Sequence, residues 1–330
     1  MPHRSWTPLH ARLHRTLRER SLLAQGQALL VAVSGGQDSL CLLQLLLDLQ
    51  PKWSWQVAIA HCNHHWRTDA DANAAYVEQL AQSWQVPYYS ATATKISSSE
   101  AAARNWRYEA LAEIALAQGC SVVVAGHTLS DRAETTLYNL IRGSGINGLQ
   151  ALTWQRELTG GVRLVRPLLN VTRAETSQFC QERQLKVWED CTNQDWRYAR
   201  NRIRQDLIPY LQTHFNPQVE VTLAQTAELL RADVDYLEQQ TEALWQQAID
   251  PQAPTAIRRS VLQAAPLALQ RRVIRHWLQQ VLPTAPNFDH IEKLVALIAA
   301  PNRTQSDPLP GGAIAQVKAG LIWLQPPDDR

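Results

Sequence analysis

The sequence predicts an α/β fold: a parallel β-sheet with helices on both faces, followed by a smaller, mainly helical C-terminal domain. Three observations carry this expectation. Short apolar, β-branched runs alternate with amphipathic stretches through the first two-thirds of the chain, the order that a parallel sheet with crossover helices requires. The run Ala28 to Val33 passes through a Gly-Gly turn straight into a helical pattern. From Gln218 onward a long Gln- and Glu-rich helical pattern takes over and strand signals become sparse. A length of 330 residues also suits two domains better than one core.

Taken in order, Ala28 to Val33 (ALLVAV) is a compact apolar run of the kind found in a strand buried on both faces. Asp38 to Leu49 follows at helical period. Gln56 to His61 is a second strand and Asp69 to Trp84 a second helix. Ser99 to Gln118 reads as a helix with Ser99 as its N-cap. Ser121 to Gly126 (SVVVAG) is the cleanest strand signal, and a helix from Ser130 to Ile141 follows it. Ligands of such sheets sit beyond the carboxyl ends of the strands, so the loops at those ends are where chemistry is expected.

The domain boundary is expected near Asn216-Pro217, giving domains 1–217 and 218–330. Beyond it, Val219 to Ala248 is one long helical pattern, and Leu262 to Leu282 and Phe288 to Ala300 are further helices. A Gly311-Gly312 turn precedes a short terminal pair of strands, Ile314 to Val317 and Leu321 to Leu324.

Composition excludes several classes. Hydrophobic residues at 45% and charged residues at 19% are globular proportions. Gln44 and Asp48 interrupt the longest apolar run, Leu40 to Leu49, which is far short of a membrane span. The basic N-terminus, with Arg4, Arg12, Arg15, Arg18 and Arg20, leads into no apolar signal core, so a cytoplasmic protein is expected. Five cysteines without a C-x-x-C pair argue against disulfides and against the usual zinc or iron–sulfur spacings. A net charge of +2 is too small to signal nucleic-acid binding by itself.

The segment Ser34-Gly35-Gly36-Gln37-Asp38-Ser39 joins a strand to a helix start. Its glycines let the backbone approach an anion, and the helix start adds unpaired N–H groups and a positive dipole end. Ser34 and Ser39 add hydroxyls, and Asp38 is placed to hold magnesium through water. The string is neither a Walker A loop nor G-x-G-x-x-G. It resembles the S-G-G-x-D-S loop of the N-type ATP pyrophosphatases, which cleave ATP between its α and β phosphates. The resemblance implies a Rossmann-like sheet of the adenine-nucleotide α-hydrolase kind, with residues 34–39 binding ATP.

Further strings narrow the resemblance to the bacterial tRNA(Ile)-lysidine synthetases. In order they are His61-Cys62-Asn63-His64-His65-Trp66-Arg67; Gly126-His127-Thr128-Leu129-Ser130-Asp131-Arg132-Ala133-Glu134-Thr135; and Arg142-Gly143-Ser144-Gly145-Ile146-Asn147-Gly148-Leu149. Arg166-Pro167-Leu168-Leu169, Asp190-Cys191-Thr192-Asn193 and Tyr198 to Arg204 complete the set. Asp131 and Glu134, three apart at a helix start, share a face and follow a buried strand that ends near His127, a placement suited to gripping an ammonium or a metal. The resemblance implies that they hold lysine or magnesium, with Asp38, Arg104 and His127 completing the catalytic set and His61 joining the ATP site. Arg104 lies in an A-R-x-x-R-Y string and its planar fork suits a phosphate or a carboxylate, while Arg107 is read as structural. Arg197, Arg200, Arg202 and Arg204, interleaved with Trp196 and Tyr198, form the densest basic and aromatic cluster. Together with Arg142 they are the expected RNA contacts.

By this resemblance the reaction uses ATP and Mg2+, L-lysine and a tRNA(Ile) with a CAU anticodon, and forms a C–N bond through an adenylated cytidine. The chain matches the compact form of the family, which leaves tRNA selection to other means or to a second copy in a homodimer. Three other readings compete. A tRNA thiolase would rely on catalytic cysteines. A small-molecule synthetase would not need the cluster at 196–204, and a non-catalytic nucleotide-binding module would not need the acids at 131 and 134.

Overall fold

The computed structural model describes residues 6–65, 69–94, 99–188, 195–250 and 253–325. The chain divides into two compact units, residues 1–231 and 232–330. The first unit contains α1 (Pro8–Glu19), β1 (Ala28–Ala32), α2 (Gln37–Trp53), β2 (Gln56–Asn63), α3 (Ala70–Trp84) and β3 (Tyr88–Thr92). It continues with α4 (Glu100–Ala117), β4 (Val122–Ala125), α5 (Leu129–Ile141), α6 (Ile146–Leu149), β5 (Gln155–Glu157), β6 (Arg163–Val165) and α7 (Arg173–Glu182). Then come α8 (Ala199–Arg202), α9 (Ile208–His214) and the start of α10 (Val219–Ala248), whose far end lies in the second unit.

The six strands run in the order β3-β2-β1-β4-β6-β5. All neighbours are parallel except the edge pair β5 and β6. Because the chain builds outward from β1 to β3 and then returns to place β4 on the other side, the order reverses between β1 and β4. A crevice at such a switch point is where sheets of this type bind ligands.

Alternation explains why helices cover both faces. Leu29, Val31, Ile59, Val122 and Val124 point to one side, into a core shared with α2, while Leu30, Ala58, Ala60, Val123 and Ala125 pack with Tyr108, Leu111 and Ala115 of α4. The helix α2 packs in turn against α1 and α7.

The expected elements are present. Ser99 caps α4 by accepting the Ala102 N–H at 3.2 Å. The structure adds α1, β3, β5, β6 and α7, which periodicity alone does not mark. In α1 the arginines hide an apolar stripe, Leu9, Leu13 and Leu17, buried at intervals of four.

The second unit contains β7 (Ile249–Asp250), β8 (Ala253–Arg258), α11 (Arg259–Gln263), α12 (Leu267–Val281), α13 (Phe288–Ala299), β9 (Ile314–Lys318) and β10 (Leu321–Gln325). Its helices pack around Trp277, Leu278 and Leu294 against an antiparallel sheet ordered β7-β8-β10-β9. The terminal hairpin is the expected one. The helix expected over Leu262 to Leu282 is broken at Pro266, the N-cap of α12. The strand β8 lay concealed by Pro254, whose carbonyl accepts the Trp277 Nε1–H at 3.0 Å. Among the described residues no helix is long and apolar enough to cross a membrane.

Candidate active site

The turn from β1 to α2 is held by its own hydroxyls. Ser39 Oγ accepts the Ser34 N–H at 3.2 Å and donates to Gly36 O at 2.9 Å, and Ser34 Oγ accepts the Gly36 N–H at 3.4 Å. Gly36 is the N-cap of α2 and offers no side chain, so first-turn N–H groups face the crevice without a capping oxygen. Gly35 has φ +85°, and a Cβ there would stand 2.7 Å from Asn73 Nδ2. Its carbonyl accepts the Trp188 N–H at 3.0 Å. Gly126, at the end of β4, touches the same turn: a Cβ there would meet Asp38 O at 2.8 Å. His61 is buried at the end of β2 and donates from Nδ1 to Val33 O at 2.8 Å.

Beyond β4, Thr128 caps α5 in a reciprocal box with Asp131. Asp131 Oδ2 accepts both the N–H and the hydroxyl of Thr128 at 2.8 Å. This fixes the carboxylate so that Oδ1 meets Arg173 Nη2 at 3.0 Å. Arg173, the first residue of α7, also donates to Asp38 Oδ2 at 3.1 Å and Glu134 Oε1 at 3.4 Å. One guanidinium therefore joins three carboxylates from two different helices, α2 and α5. Arg204 grips Glu134 with two bonds, Nε to Oε1 at 2.6 Å and Nη2 to Oε2 at 2.8 Å. Three carboxylates against two guanidinium groups leave this cluster at a formal −1.

The two aspartates respond oppositely. Burial raises the Asp38 pKa, and the charge of Asp131 adds to it, against the pull of Arg173 and of the Thr176 hydroxyl at 2.5 Å. Burial also works against the charge on Asp131, but Arg173, His127 and the Thr128 donors outweigh it and hold that carboxyl below its ordinary value. Arg173 itself is held charged by Asp131, Asp38 and Glu134 despite burial.

Sequence reasoning missed Arg173, although its setting, Thr172-Arg173-Ala174-Glu175, is a legible capping box. Arg204, expected among the RNA contacts, is turned inward to Glu134. Between α8 and α9 the chain makes a single π turn, with Ile208 donating to Ile203 O five residues back. Pro209 follows and has no N–H to give the preceding turn, which favours this register.

A cavity of about 740 Å³ joins these groups, lined by the 34–39 turn, His61, His127, Asp131, Arg173 and Arg204. Burial and nearby Arg166 push the His127 pKa down to about 3, so the ring is neutral at physiological pH. Arg104 and Glu134 do not line the cavity, whereas Arg107 and Tyr108 do. Arg104 lies 5.5 Å from the Tyr108 ring centre. Burial pushes the thiols of Cys62 and Cys180 up to about 12, and raises those of Cys41 and Cys120 as well, which keeps all four protonated.

The other expected RNA contacts lie elsewhere on the first unit. Arg142 and Arg200 flank the Tyr138 ring at 5.3 and 5.8 Å, and Trp196 is 53% exposed. Arg197 pairs with Asp195 at 2.7 Å, and Arg202 donates to Trp196 O at 2.8 Å. Trp66, Arg67 and Asp190 to Asn193 lie outside the described residues.

Among the described residues no cage of three or more metal-type side chains exists. A magnesium ion needs only one or two carboxylates beside substrate phosphates, and the oxygens that converge on Arg173 show that this pocket accommodates positive charge. The donor set therefore fits a hard cation at Asp38 and Asp131.

Comparison with known proteins agrees with this geometry. A PP-loop domain profile matches residues 7–211, and a TilS substrate binding domain profile matches residues 257–322. The chain is 60% identical to a tRNA(Ile)-lysidine synthase from Nostoc sp., over 97% of each chain. It is 51% identical to one from Synechocystis sp., over 96% of this chain and 98% of the relative. Among solved structures, the U34-tRNA thiolase NcsA from Methanococcus maripaludis superposes with a TM-score of 0.57 at 17% identity, covering 67% of this chain and 77% of that one. At that identity the likeness is one of fold alone.

Proposed function

The chain belongs to the family of tRNA(Ile)-lysidine synthases, and from that premise we propose that it joins lysine, through its ε-amine, to carbon 2 of the wobble cytidine in a CAU-anticodon tRNA(Ile). The product decodes AUA in place of AUG. The observation that carries the reading is that one cavity brings an anion-binding turn together with two carboxylates, Asp38 and Asp131.

The reaction has two steps. The cytidine's 2-oxygen attacks the α-phosphorus of ATP; a P–O bond forms, the α–β anhydride bond breaks and pyrophosphate leaves. The turn of Ser34, Gly35, Gly36, Gln37 and Ser39, shaped by its internal bonds, receives the phosphates at the uncapped start of α2, with His61 supporting the turn through Val33. Asp38 and Asp131 would hold magnesium, which when bound neutralises phosphate charge. Lysine's ε-amine then attacks carbon 2; a C–N bond forms, the C–O bond breaks and AMP leaves. Asp131 places the amine and draws off its proton, while Glu134, behind the cavity wall, holds Arg204 and Arg173 in position around it. Neutral His127 serves as a hydrogen-bonding group, and Arg104, beside the Tyr108 ring and off the cavity wall, adds positive charge to that side of the site. The cytidine reacts unstacked, which fits an anticodon loop. Arg142, Arg200 and Arg202 contact that RNA, Arg197 being paired with Asp195, and residues 218–330 grip the rest of the tRNA, consistent with the substrate binding domain profile over 257–322.

The raised thiols of the four described cysteines oppose a thiolase role for those residues, since a protonated sulfur is a poor nucleophile. The test is incubation of the protein with ATP, Mg2+, labelled lysine and bacterial tRNA, followed by mild base and counting of the precipitated RNA. Base-stable, ATP-dependent label that is lost in Asp38→Ala supports the proposal. Pyrophosphate release without lysine incorporation would refute the lysine assignment and leave an adenylating enzyme.

A further inference from the structure

Arg173 stands first in α7, where the positive end of the helix dipole disfavours a cation. Its placement therefore serves the carboxylates and not the helix. The backbone here is tied down on both sides: the N–H donates to Ser130 Oγ at 3.2 Å, and the carbonyl accepts from Gln37 Nε2 at 2.9 Å. The side chain is less confined. It keeps 28% of its surface exposed and lines the cavity, whereas Arg132 and Arg166 are 3% and 1% exposed.

The oxygens of the two aspartates divide into a framework set and a cavity set. Asp38 Oδ1 accepts the Thr176 hydroxyl at 2.5 Å, and Asp131 Oδ2 accepts the N–H and the hydroxyl of Thr128 at 2.8 Å. The other two, Asp38 Oδ2 and Asp131 Oδ1, both face Arg173, at 3.1 and 3.0 Å. Glu134 offers no alternative, because Arg204 holds its two oxygens at 2.6 and 2.8 Å and it stands off the cavity wall. A hard cation bound by Asp38 and Asp131 therefore needs the two oxygens that one guanidinium already holds. Two cations so close repel each other strongly.

We propose that Arg173 is a displaceable cation and a further catalytic residue: in the nucleotide-free protein it holds the metal's place between Asp38 and Asp131, and when ATP and magnesium enter together its guanidinium swings to the polyphosphate. This rests on the reading that the cavity takes ATP with magnesium, and it adds the order in which charge is exchanged. Gln37 ties the pivot to the 34–39 turn, so the side chain changes partners while α7 stays in place. A planar fork that bridges carboxylate oxygens matches phosphate oxygens equally well. The exchange makes metal binding depend on nucleotide, because without phosphates a displaced guanidinium has no anion to receive it.

The test is Mn2+ binding to the full chain, followed by electron paramagnetic resonance without nucleotide. Arg173→Met takes away the competing cation and is expected to bind Mn2+ about 10-fold or more tightly than the wild type. Adding Asp131→Asn to that variant should return binding to the wild-type level, which places the metal at the cluster. Affinity for α,β-methylene-ATP in the presence of Mn2+ should move the other way, weakening about 10- to 100-fold in Arg173→Met. Damage to a merely structural ion pair would weaken both. Circular dichroism and melting show whether each variant folds; Arg173→Gln, which keeps a polar donor in the cluster, gives the same two directions and decides the matter if the methionine variant does not fold. Mn2+ binding no tighter than in the wild type, or tightened binding that persists without Asp131, would overturn the shared place. Tightened Mn2+ binding with unchanged nucleotide affinity would overturn the transfer to phosphate. These readouts need neither lysine nor tRNA, so failure of the lysine reading, seen as no label in wild-type RNA, is distinguishable from failure here.

Discussion

At the residue scale, Asp38 and Asp131 share one arginine and still differ in what their charges do to the fold. The folded pKa of Asp38 is raised, so its stabilising contribution is present in acid and lost as pH rises through that value. At neutral pH its charge opposes folding. Asp38→Asn is therefore expected to raise the melting temperature at pH 7 while abolishing lysine incorporation, a trade common at functional positions. The folded pKa of Asp131 is depressed, so its contribution is present at neutral pH and lost as pH falls through the folded value. Asp131→Asn weakens the α5 capping box, costing about 1 kcal/mol and lowering the melting temperature by about 2–4 °C. Thermal melts of both variants across pH 4 to 8 check the opposite signs. Gly126 makes a further case. Its missing Cβ admits Asp38 O, so Gly126→Ala forces the turn aside, at a cost of about 1–3 kcal/mol. A misplacement of about 1 Å costs about 100-fold in activity. Melting and labelled-lysine assays on the same preparation separate the two effects.

At the element scale, what was legible in the sequence was what is local. The β1 run, the Gly-Gly turn and the start of α2 are contiguous, so glycine chemistry and hydrophobic period suffice to place an anion site there. Arg173 was not legible in the same way, because its bond to Asp38 joins residues 135 positions apart and no short spacing encodes it. Arg204, which turns inward to Glu134, lies in a π turn before Pro209, a register that helical periodicity does not show. The strand β8 was hidden because Pro254 reads as a break; the antiparallel partner β10 that makes it a strand is distant in sequence. The helix α10 extends this point. Its period was plain, but not its role: Glu228 accepts from Arg132 at 2.9 Å, from Trp154 Nε1 at 2.9 Å and from Arg20 at 2.8 Å. Arg132 is 3% exposed. Glu228→Ala takes the carboxylate away from that buried charge, leaving it the Leu152 carbonyl, and is expected to cost about 3 kcal/mol. Urea denaturation should show the drop in stability, and hydrogen exchange should show it concentrated in the first turns of α10 and in α5.

At the scale of the whole molecule, a net charge of +2 means that RNA attraction rests on local clusters. The cluster expected from sequence divides in two when folded. Arg204 serves Glu134, and Arg197 is already neutralised by Asp195, whereas Arg142 and Arg200 flank the Tyr138 ring. Two guanidinium groups beside one aromatic ring suit an RNA segment whose phosphates pair with arginine next to a stacked base. If these two arginines meet an anticodon loop, each releases counterions on binding, and every single-stranded phosphate so neutralised steepens the log–log slope of affinity against salt by about 0.7. The double variant Arg142→Ala with Arg200→Ala is expected to flatten that slope by about 1.4 and to weaken tRNA binding most at low salt. Its affinity for ATP should stay unchanged, because the 34–39 turn is untouched. Arg197→Ala, by contrast, should leave the slope nearly as it was, since its charge is already matched within the protein. Filter binding of tRNA over a salt series checks all three. Equal slopes for the double variant and the wild type would show that this face does not meet the RNA backbone, and would shift the search for tRNA contacts to residues 232–330.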